Sequence, residues 1–147
     1  MQPIQIIVGS MLGGSEYVAE ACQQVLDENN FTTQLHLTPN FSEISHQNQT
    51  WLICTSTHGA GDYPDNILEF IADLENCDQD LSTVSFIVIG IGDSNYDTFC
   101  FAAKNIEKLL ISKGCKLITE SFHIDMAQDV DPEDLAQTWL STKVDQL

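Results

Sequence analysis

The stretch IIVGSMLGGSEYVAE, residues 6–20, joins an apolar run to a helical pattern through a loop of serine and glycine. The apolar run ends at Gly9, and from Glu16 onward apolar side chains recur at the spacing of one helix face. A loop of this kind points backbone N–H groups and the positive end of a helix dipole toward an anion. The stretch therefore predicts a strand, a lysine-free phosphate loop and a helix.

The residues of this loop exclude two common phosphate-loop designs. Gly9 and Gly14 have the glycine spacing of the triphosphate loop G-x-x-x-x-G-K-[ST], but Ser15 stands where that loop has its lysine. The dinucleotide pattern G-x-G-x-x-G is absent as well. Two interpretations stay open. Either the hydroxyls of Ser10 and Ser15 and the backbone from Met11 to Ser15 hold a single phosphate, or the loop is a turn in which Ser15 caps the helix.

Apolar runs and helical patterns alternate along the whole chain. Strands that are apolar on both faces and separated by helices are typical of a parallel, doubly wound sheet. A chain of 147 residues is expected to form one domain, residues 1–147. In such folds ligands bind beyond the carboxyl ends of the strands, and three unusual polar loops follow predicted strands here. The predicted strands are residues 3–9, 32–37, 50–56, 84–92 and 115–124.

Capping residues predict where some helices begin. Asp131 precedes a proline and two acidic residues, a strong start signal for a last helix. Asp65 or Asn66 is expected to cap a helix that continues to residue 74. A short helical turn is expected at residues 41–45.

The charge composition excludes several classes of partner. The chain has 22 acidic residues, five lysines and no arginine, for a net charge of −17, and its first lysine is Lys104. Binding to nucleic acid or to an anionic membrane depends on lysine and arginine, so neither is expected. No apolar stretch approaches the ~20 residues of a membrane span, and no signal peptide is recognised, so a cytoplasmic protein is expected. A surface this acidic suits a basic protein partner.

Cysteine and histidine give no sign of a metal or disulfide framework. The five cysteines form no C-x-x-C pair and the four histidines have no i, i+4 spacing. Reduced, mostly buried cysteines and no metal are expected.

Three motifs in order along the chain carry a family resemblance. GSMLGGS (residues 9–15), STHGAGDYPDN (residues 56–66) and GIGDSNYDTFC (residues 90–100) each follow a predicted strand. Together they resemble the flavodoxin family, in particular its short, MioC-like members, over essentially the whole chain. The resemblance implies a three-layer sandwich with a five-stranded parallel sheet in the order 2-1-3-4-5 and helices on both faces. It also implies a bound FMN.

The resemblance assigns roles to the three motifs. The first would wrap the FMN phosphate, the second would line one edge of the flavin, and the third would line the other edge and stack its tyrosine on the ring. Gly59, or else Gly61, would present a backbone carbonyl to the flavin N5, and Asp125 falls near a flavin-proximal acid of related domains. The implied FMN-binding residues are Ser10, Met11, Leu12, Gly13, Gly14, Ser15, Thr57, His58, Gly59, Ala60, Asp93, Ser94, Asn95, Tyr96 and Cys100.

The function that the resemblance implies is electron transfer at low potential, without substrate turnover by the protein itself. Acidic residues near the ring oppose the negative charge that reduction adds. The expected donor is an NADPH-dependent flavoprotein reductase. The expected acceptor has a basic docking face, and MioC-like members are associated with biotin synthase, an iron–sulfur enzyme. The protein is expected to be a monomer or a weak homodimer.

Two other functions remain open. The domain could bind no flavin and serve as an interaction or regulatory module, or it could be a flavoenzyme of the quinone-reductase type. Flavin content separates the first from an electron carrier, and turnover of NAD(P)H with a quinone separates the second.

Overall fold

Six parallel strands form the central sheet of the computed structural model, which describes residues 1–11 and 13–147. The strands are β1 (Ile4–Gly9), β2 (Thr33–His36), β3 (Gln49–Ser56), β4 (Val84–Gly92), β5 (Lys116–Leu117) and β6 (Phe122–Asp125). The order along the sheet is β2-β1-β3-β4-β5, and β6 also pairs with β4. The predicted fold class and the predicted order 2-1-3-4-5 are confirmed.

Among the described residues, four helices cover the two faces of the sheet. They are α1 (Gly14–Glu28), α2 (Leu68–Glu75), α3 (Phe101–Ser112) and α4 (Pro132–Ser141). Short 3-10 turns lie at Phe41–Glu43, Asp65–Ile67 and Val144–Gln146. The turn at Phe41–Glu43 lies within the residues predicted to be helical.

The alternation of side chains along the buried strands divides the core into two layers. Ile6 and Val8 of β1 face the layer that contains residues of α1 and α4, whereas Ile7 faces the layer that contains residues of α2 and α3. All six residues of β1 are buried, as expected for a central strand covered on both faces. The sheet is therefore a rigid platform whose polar loops emerge at its edges.

The predicted fifth strand is divided in two. Between the pairs Phe86–Leu117 and Ile89–Phe122, β4 advances three residues while the partner chain advances five. Two extra residues are therefore accommodated between β5 and β6, as in a bulge. Polar side chains occupy this segment, and the Ser121 hydroxyl donates to Glu107 Oε1 of α3 over 2.5 Å. The prediction of a continuous strand at residues 115–124 was wrong because the extra residues interrupt the ladder: the N–H of Ile118 still donates to the Phe86 carbonyl of β4, and pairing resumes at Phe122.

The helix-start predictions had different outcomes. Asp131 caps α4 as predicted, since its Oδ1 accepts from the N–H groups of Glu133 (3.0 Å) and Asp134 (3.2 Å). Neither Asp65 nor Asn66 caps α2 with its side chain. The predicted helix is present as α2, but the predicted cap was wrong because the Asn66 amide bonds to Ser10, Val8 and Leu37 instead.

In the described part of the chain, no helix is long and apolar enough to cross a membrane. Among the same residues, no group of three or more His, Cys, Asp or Glu side chains is placed to hold a metal ion.

Candidate functional site

Three loops meet at the carboxyl edge of the sheet. We call them the Ser10 loop (residues 10–13, after β1), the His58 loop (residues 57–62, after β3) and the Tyr96 loop (residues 93–100, after β4). Because β1, β3 and β4 are adjacent and parallel, their carboxyl ends lie side by side. The chain crosses from one face of the sheet to the other around β1 and β3, which is where doubly wound folds bind ligands.

The Ser10 loop leads directly into the start of α1. Gly13 is the N-cap residue, with φ +86°, and no side chain of the described residues caps this helix. The open interpretation in which Ser15 caps the helix is therefore wrong. The N–H groups of the first turn, at Gly14, Ser15 and Glu16, have no carbonyl of their own helix within reach. Leu12, another predicted site residue, lies outside the described residues.

Two hydroxyls of this segment are buried without a partner. Within the described structure, the Oγ atoms of Ser10 and Ser15 make no hydrogen bond, and Ser15 is only 1% exposed. Buried polar atoms are seldom left unsatisfied, because each costs about 1–3 kcal/mol. Two orphaned hydroxyls beside the positive end of a helix fit a small anion such as a phosphate monoester.

Gly9 allows β1 and β3 to approach closely just before the loop. A Cβ at Gly9 would collide with Thr55 Oγ1 and would lie 3.3 Å from Ile67 Cγ2. A side chain at this position would push the Ser10 loop away from the end of β3.

The His58 loop is a tight reversal. His58 and Asp62 exchange backbone hydrogen bonds of 2.7 Å, and Gly59 and Gly61 have φ values of +52° and +102°. A Cβ at Gly61 would lie 3.0 Å from Phe101 Cδ2, so the loop packs against the start of α3. Ala60, at the tip, is exposed.

Thr57 connects this loop to α3. Its Oγ1 accepts a hydrogen bond from the N–H of Ala102 over 3.1 Å, in the first turn of the helix. The side chain of the N-cap residue Cys100 does not perform this task. The His58 loop, which follows β3, thus provides a hydrogen-bond acceptor for a first-turn N–H of α3, the helix that follows β4.

The Tyr96 loop is held by two carboxylates. Asp93 Oδ1 accepts from the N–H of Asn95, and Asp125 Oδ1 accepts from the N–H groups of Ser94 (2.9 Å) and Ala127 (3.0 Å). The bonds from Ser94 are the main cause that lowers the pKa of Asp125, so this residue stays charged. Asp125 therefore contacts the candidate site through a backbone N–H of the Tyr96 loop, that of Ser94.

Cys100 closes the Tyr96 loop in a left-handed conformation, with φ +53°. Burial raises the pKa of its thiol to about 11, so it remains protonated near neutral pH. Gly92 is also required here, since a Cβ would lie 3.0 Å from both the N and Sγ atoms of Cys100. The thiol therefore packs against the end of β4 and does not serve as a nucleophile.

A cleft of about 420 Å³ opens between the His58 loop and the Tyr96 loop. It falls within the volume range typical of ligand sites. The ring of Tyr96 is 66% exposed and stands at its edge. The lining residues are Ser56, Thr57, Gly59, Ile91, Gly92, Asp93, Tyr96, Thr98, Phe99, Cys100 and Met126.

The predicted site residues are distributed unevenly around this cleft. Thr57, Gly59, Asp93, Tyr96 and Cys100 line it, whereas His58, Ala60, Ser94 and Asn95 belong to the same loops but not to its walls. The Ser10 loop is outside the lining, at the neighbouring strand end. Met11, Gly13 and Gly14 are likewise outside the lining.

Sequence reasoning missed several wall residues. Ser56 and Ile91 are at the ends of predicted strands, and the Ser56 hydroxyl is buried without a partner within the described structure. Their positions at the carboxyl ends of predicted strands could have identified them as site residues. Met126 had no such signal, because its place depends on β6 pairing with β4.

These features define a class: a doubly wound α/β protein with an anion cradle at a helix N-terminus beside an aromatic cleft. The family model described as Flavodoxin matches residues 6–139. The chain belongs to the flavodoxin family.

Comparisons over the full length support this assignment. The chain is 44% identical over 144 residues to the Protein MioC homolog of Pasteurella multocida, covering 98% of this chain and 97% of that one. It is 42% identical over 147 residues to Protein MioC of Escherichia coli, covering 100% and 99%. Among solved structures, a cysteine-to-alanine mutant of flavodoxin from Pseudomonas aeruginosa superposes with a TM-score of 0.91 at 26% identity, covering 99% of each chain.

Family membership implies a flavin cofactor, typically FMN, and a role in electron transport. The residues present fit such a cofactor. FMN carries one phosphate, which matches two orphaned hydroxyls at a lysine-free helix start, and a flat aromatic ring, which matches the cleft beside Tyr96.

Proposed function

We propose that this chain is an electron carrier that holds FMN, with the phosphate at residues 10–15 and the ring in the cleft. The observation that carries this proposal is the pair of buried, unpartnered hydroxyls of Ser10 and Ser15 at the start of α1. Ser10 directly follows β1, which pairs with β3, and the His58 loop after β3 forms one wall of the cleft. FMN when bound supplies one-electron chemistry at its ring system.

The protein's own groups would bind and orient the cofactor. The hydroxyls of Ser10 and Ser15 and the first-turn N–H groups of α1 would donate to the phosphate. The Tyr96 ring would stack on the flavin, while Phe99 and Ile91 exclude water from the cleft. The carbonyl of Gly59 is the proposed acceptor for the flavin N5, with Gly61 as the alternative.

Charge favours a low reduction potential. Two unit charges ~15 Å apart interact by about 1 kcal/mol at an effective dielectric constant of ~20. Each acidic residue at that distance would lower a one-electron potential by about 40 mV before screening. The chain supplies no lysine or arginine in residues 1–103, so few positive charges oppose this effect.

The partners are proposed from the resemblance to MioC-like flavodoxins and from the acidic charge of the chain. An NADPH-dependent flavoprotein reductase would supply electrons, and an acceptor with a basic docking face would receive them. An iron–sulfur enzyme such as biotin synthase is the acceptor that we propose. We place this exchange in the cytoplasm, with the carrier a monomer or a weak homodimer.

Titration of the apoprotein with FMN, and then with riboflavin, tests the cofactor assignment. We expect FMN fluorescence to be quenched at much lower protein concentration than riboflavin fluorescence, because riboflavin has no phosphate. The double variant S10A/S15A should weaken FMN binding and leave riboflavin binding nearly unchanged.

Absence of binding to either flavin would contradict the proposal and favour an interaction module without cofactor. Steady turnover of NADPH with a quinone by the FMN-loaded protein alone would instead indicate a flavoenzyme.

A further inference from the structure

Asn66 uses its side-chain amide to hold the first residue of the Ser10 loop. Its Oδ1 accepts from the backbone N–H of Ser10 over 2.8 Å. Its Nδ2 donates to the carbonyl of Val8 over 2.8 Å and to the carbonyl of Leu37 over 3.0 Å. One acceptor and both donor hydrogens are thus engaged.

These bonds join the ends of three adjacent strands. Val8 belongs to β1, Leu37 directly follows β2, and Asn66 follows β3 by ten residues. The sequence separations are 56, 58 and 29 residues. Because neighbouring strands contribute, the position of the Ser10 loop is fixed relative to the sheet as well as to α1.

The bond to Ser10 also decides which groups remain for a ligand. The Ser10 N–H faces Asn66 and is already satisfied. The Ser10 hydroxyl is left buried and, within the described structure, unpartnered, as is that of Ser15. The backbone N–H of Ser10 is therefore occupied by Asn66, whereas its hydroxyl stays available to a ligand.

The chemistry at this position requires an amide. Aspartate has the same shape but no donor hydrogens when charged, and it would place a carboxylate against the carbonyls of Val8 and Leu37. Alanine would leave the Ser10 N–H and both carbonyls without this partner.

We propose that Asn66 is a positioning residue for the phosphate of the cofactor, acting through Ser10 without touching the ligand. This inference rests on the proposed function. The three bonds of Asn66 go to Ser10, Val8 and Leu37, none of which lines the cleft. Asn66 therefore contributes to recognition of the phosphate and not to recognition of the ring.

The test compares FMN with riboflavin in N66A and in the matched variant N76A. Asn76 also donates one side-chain hydrogen bond to a backbone carbonyl, that of Ala72, but at the end of α2. For N66A we expect the Kd of FMN to rise about tenfold and that of riboflavin to change less than about threefold. N76A should change neither Kd.

The ratio of the two constants separates positioning from general support. Equal loss of both flavins in N66A would overturn the positioning role while leaving the proposed function standing. If the unchanged chain binds FMN no better than riboflavin, the proposed function fails and the positioning role fails with it.

A second measurement needs no variant. In the unchanged apoprotein, the Ser10 amide should exchange its hydrogen slowly, since Asn66 holds it before any cofactor is added. Exchange at the rate of a free loop would overturn the inference.

Discussion

Lys104 is a positively charged residue beside a candidate site whose other charged side chains are acidic. Its Nζ lies 5.8 Å from the ring centroid of Phe99 and 5.5 Å from that of Phe101, and Phe99 lines the cleft. Burial and the charge of Lys104 both lower the pKa of His123, so that imidazole is neutral near pH 7. Lys104 is thus a fixed positive charge close behind a cleft wall.

Replacing Lys104 should therefore lower the reduction potential of bound FMN. Removal of one positive charge at ~15 Å costs the added electron about 1 kcal/mol, or about 40 mV. We expect K104M to lower the midpoint potential by that order in a spectroelectrochemical titration. K108M is the control, because it removes the same charge from an equally exposed residue one turn further along α3, away from Phe99 and Phe101. Equal shifts in the two variants would contradict a local effect of Lys104.

At the scale of elements, the loops are joined to helices that belong to other βα units. The bond from Ala102 N–H to Thr57 Oγ1 caps α3 from the His58 loop. Gly61 packs on Phe101 of the same helix. Movement of the His58 loop is consequently coupled to the first turn of α3.

T57V should destabilise the fold through this coupling. Valine keeps the shape of threonine but cannot accept the Ala102 N–H, and loss of a helix cap costs about 0.5–2 kcal/mol. Urea unfolding should show a lower midpoint with an unchanged slope. Thr32, which is exposed before β2, gives the control variant T32V. An unchanged midpoint in T57V would show that water replaces the cap without cost.

The elements that could be predicted from sequence are those decided by local pattern. The buried strands are continuous apolar runs, and Asp131 meets its N–H partners two and three residues later. Ser10 and Ser15 could be proposed because their loop directly precedes α1. In contrast, the partners of Asn66 and Thr57 are 29 to 58 residues away, so no local pattern reports them. Within the break between β5 and β6, Ser121 bonds to Glu107 of α3, 14 residues earlier, and no local pattern reports that contact either.

Across the whole molecule, most of the positive charge falls in one region, and Lys143 is the lysine outside it. Four of the five lysines fall in residues 104–116, from α3 to β5, while residues 1–103 have none. Acidic side chains are exposed on the rim of the cleft, at Asp62 and Asp97, and at the opposite edge of the sheet, at Glu28 and Asp145. Since helices run antiparallel to the strands they follow, the ends of α1 and α4 lie far from the three loops.

Charge at the rim should govern encounter with a basic partner. We expect D62N/D97N to slow electron transfer from the reduced, FMN-loaded protein to cytochrome c by a factor of about 2–10 at low salt. E28Q/D145N changes the net charge by the same amount and should have a smaller effect, because its charges are on the far edge. Stopped-flow rate constants at ~0.01 M and ~1 M salt test this, since the Debye length falls from about 30 Å to about 3 Å. The rate constants of the two double variants should become equal at high salt.

Equal slowing of the two double variants at low salt would contradict this prediction. It would mean that the total charge of the protein, and not the charge at the rim of the cleft, steers the partner.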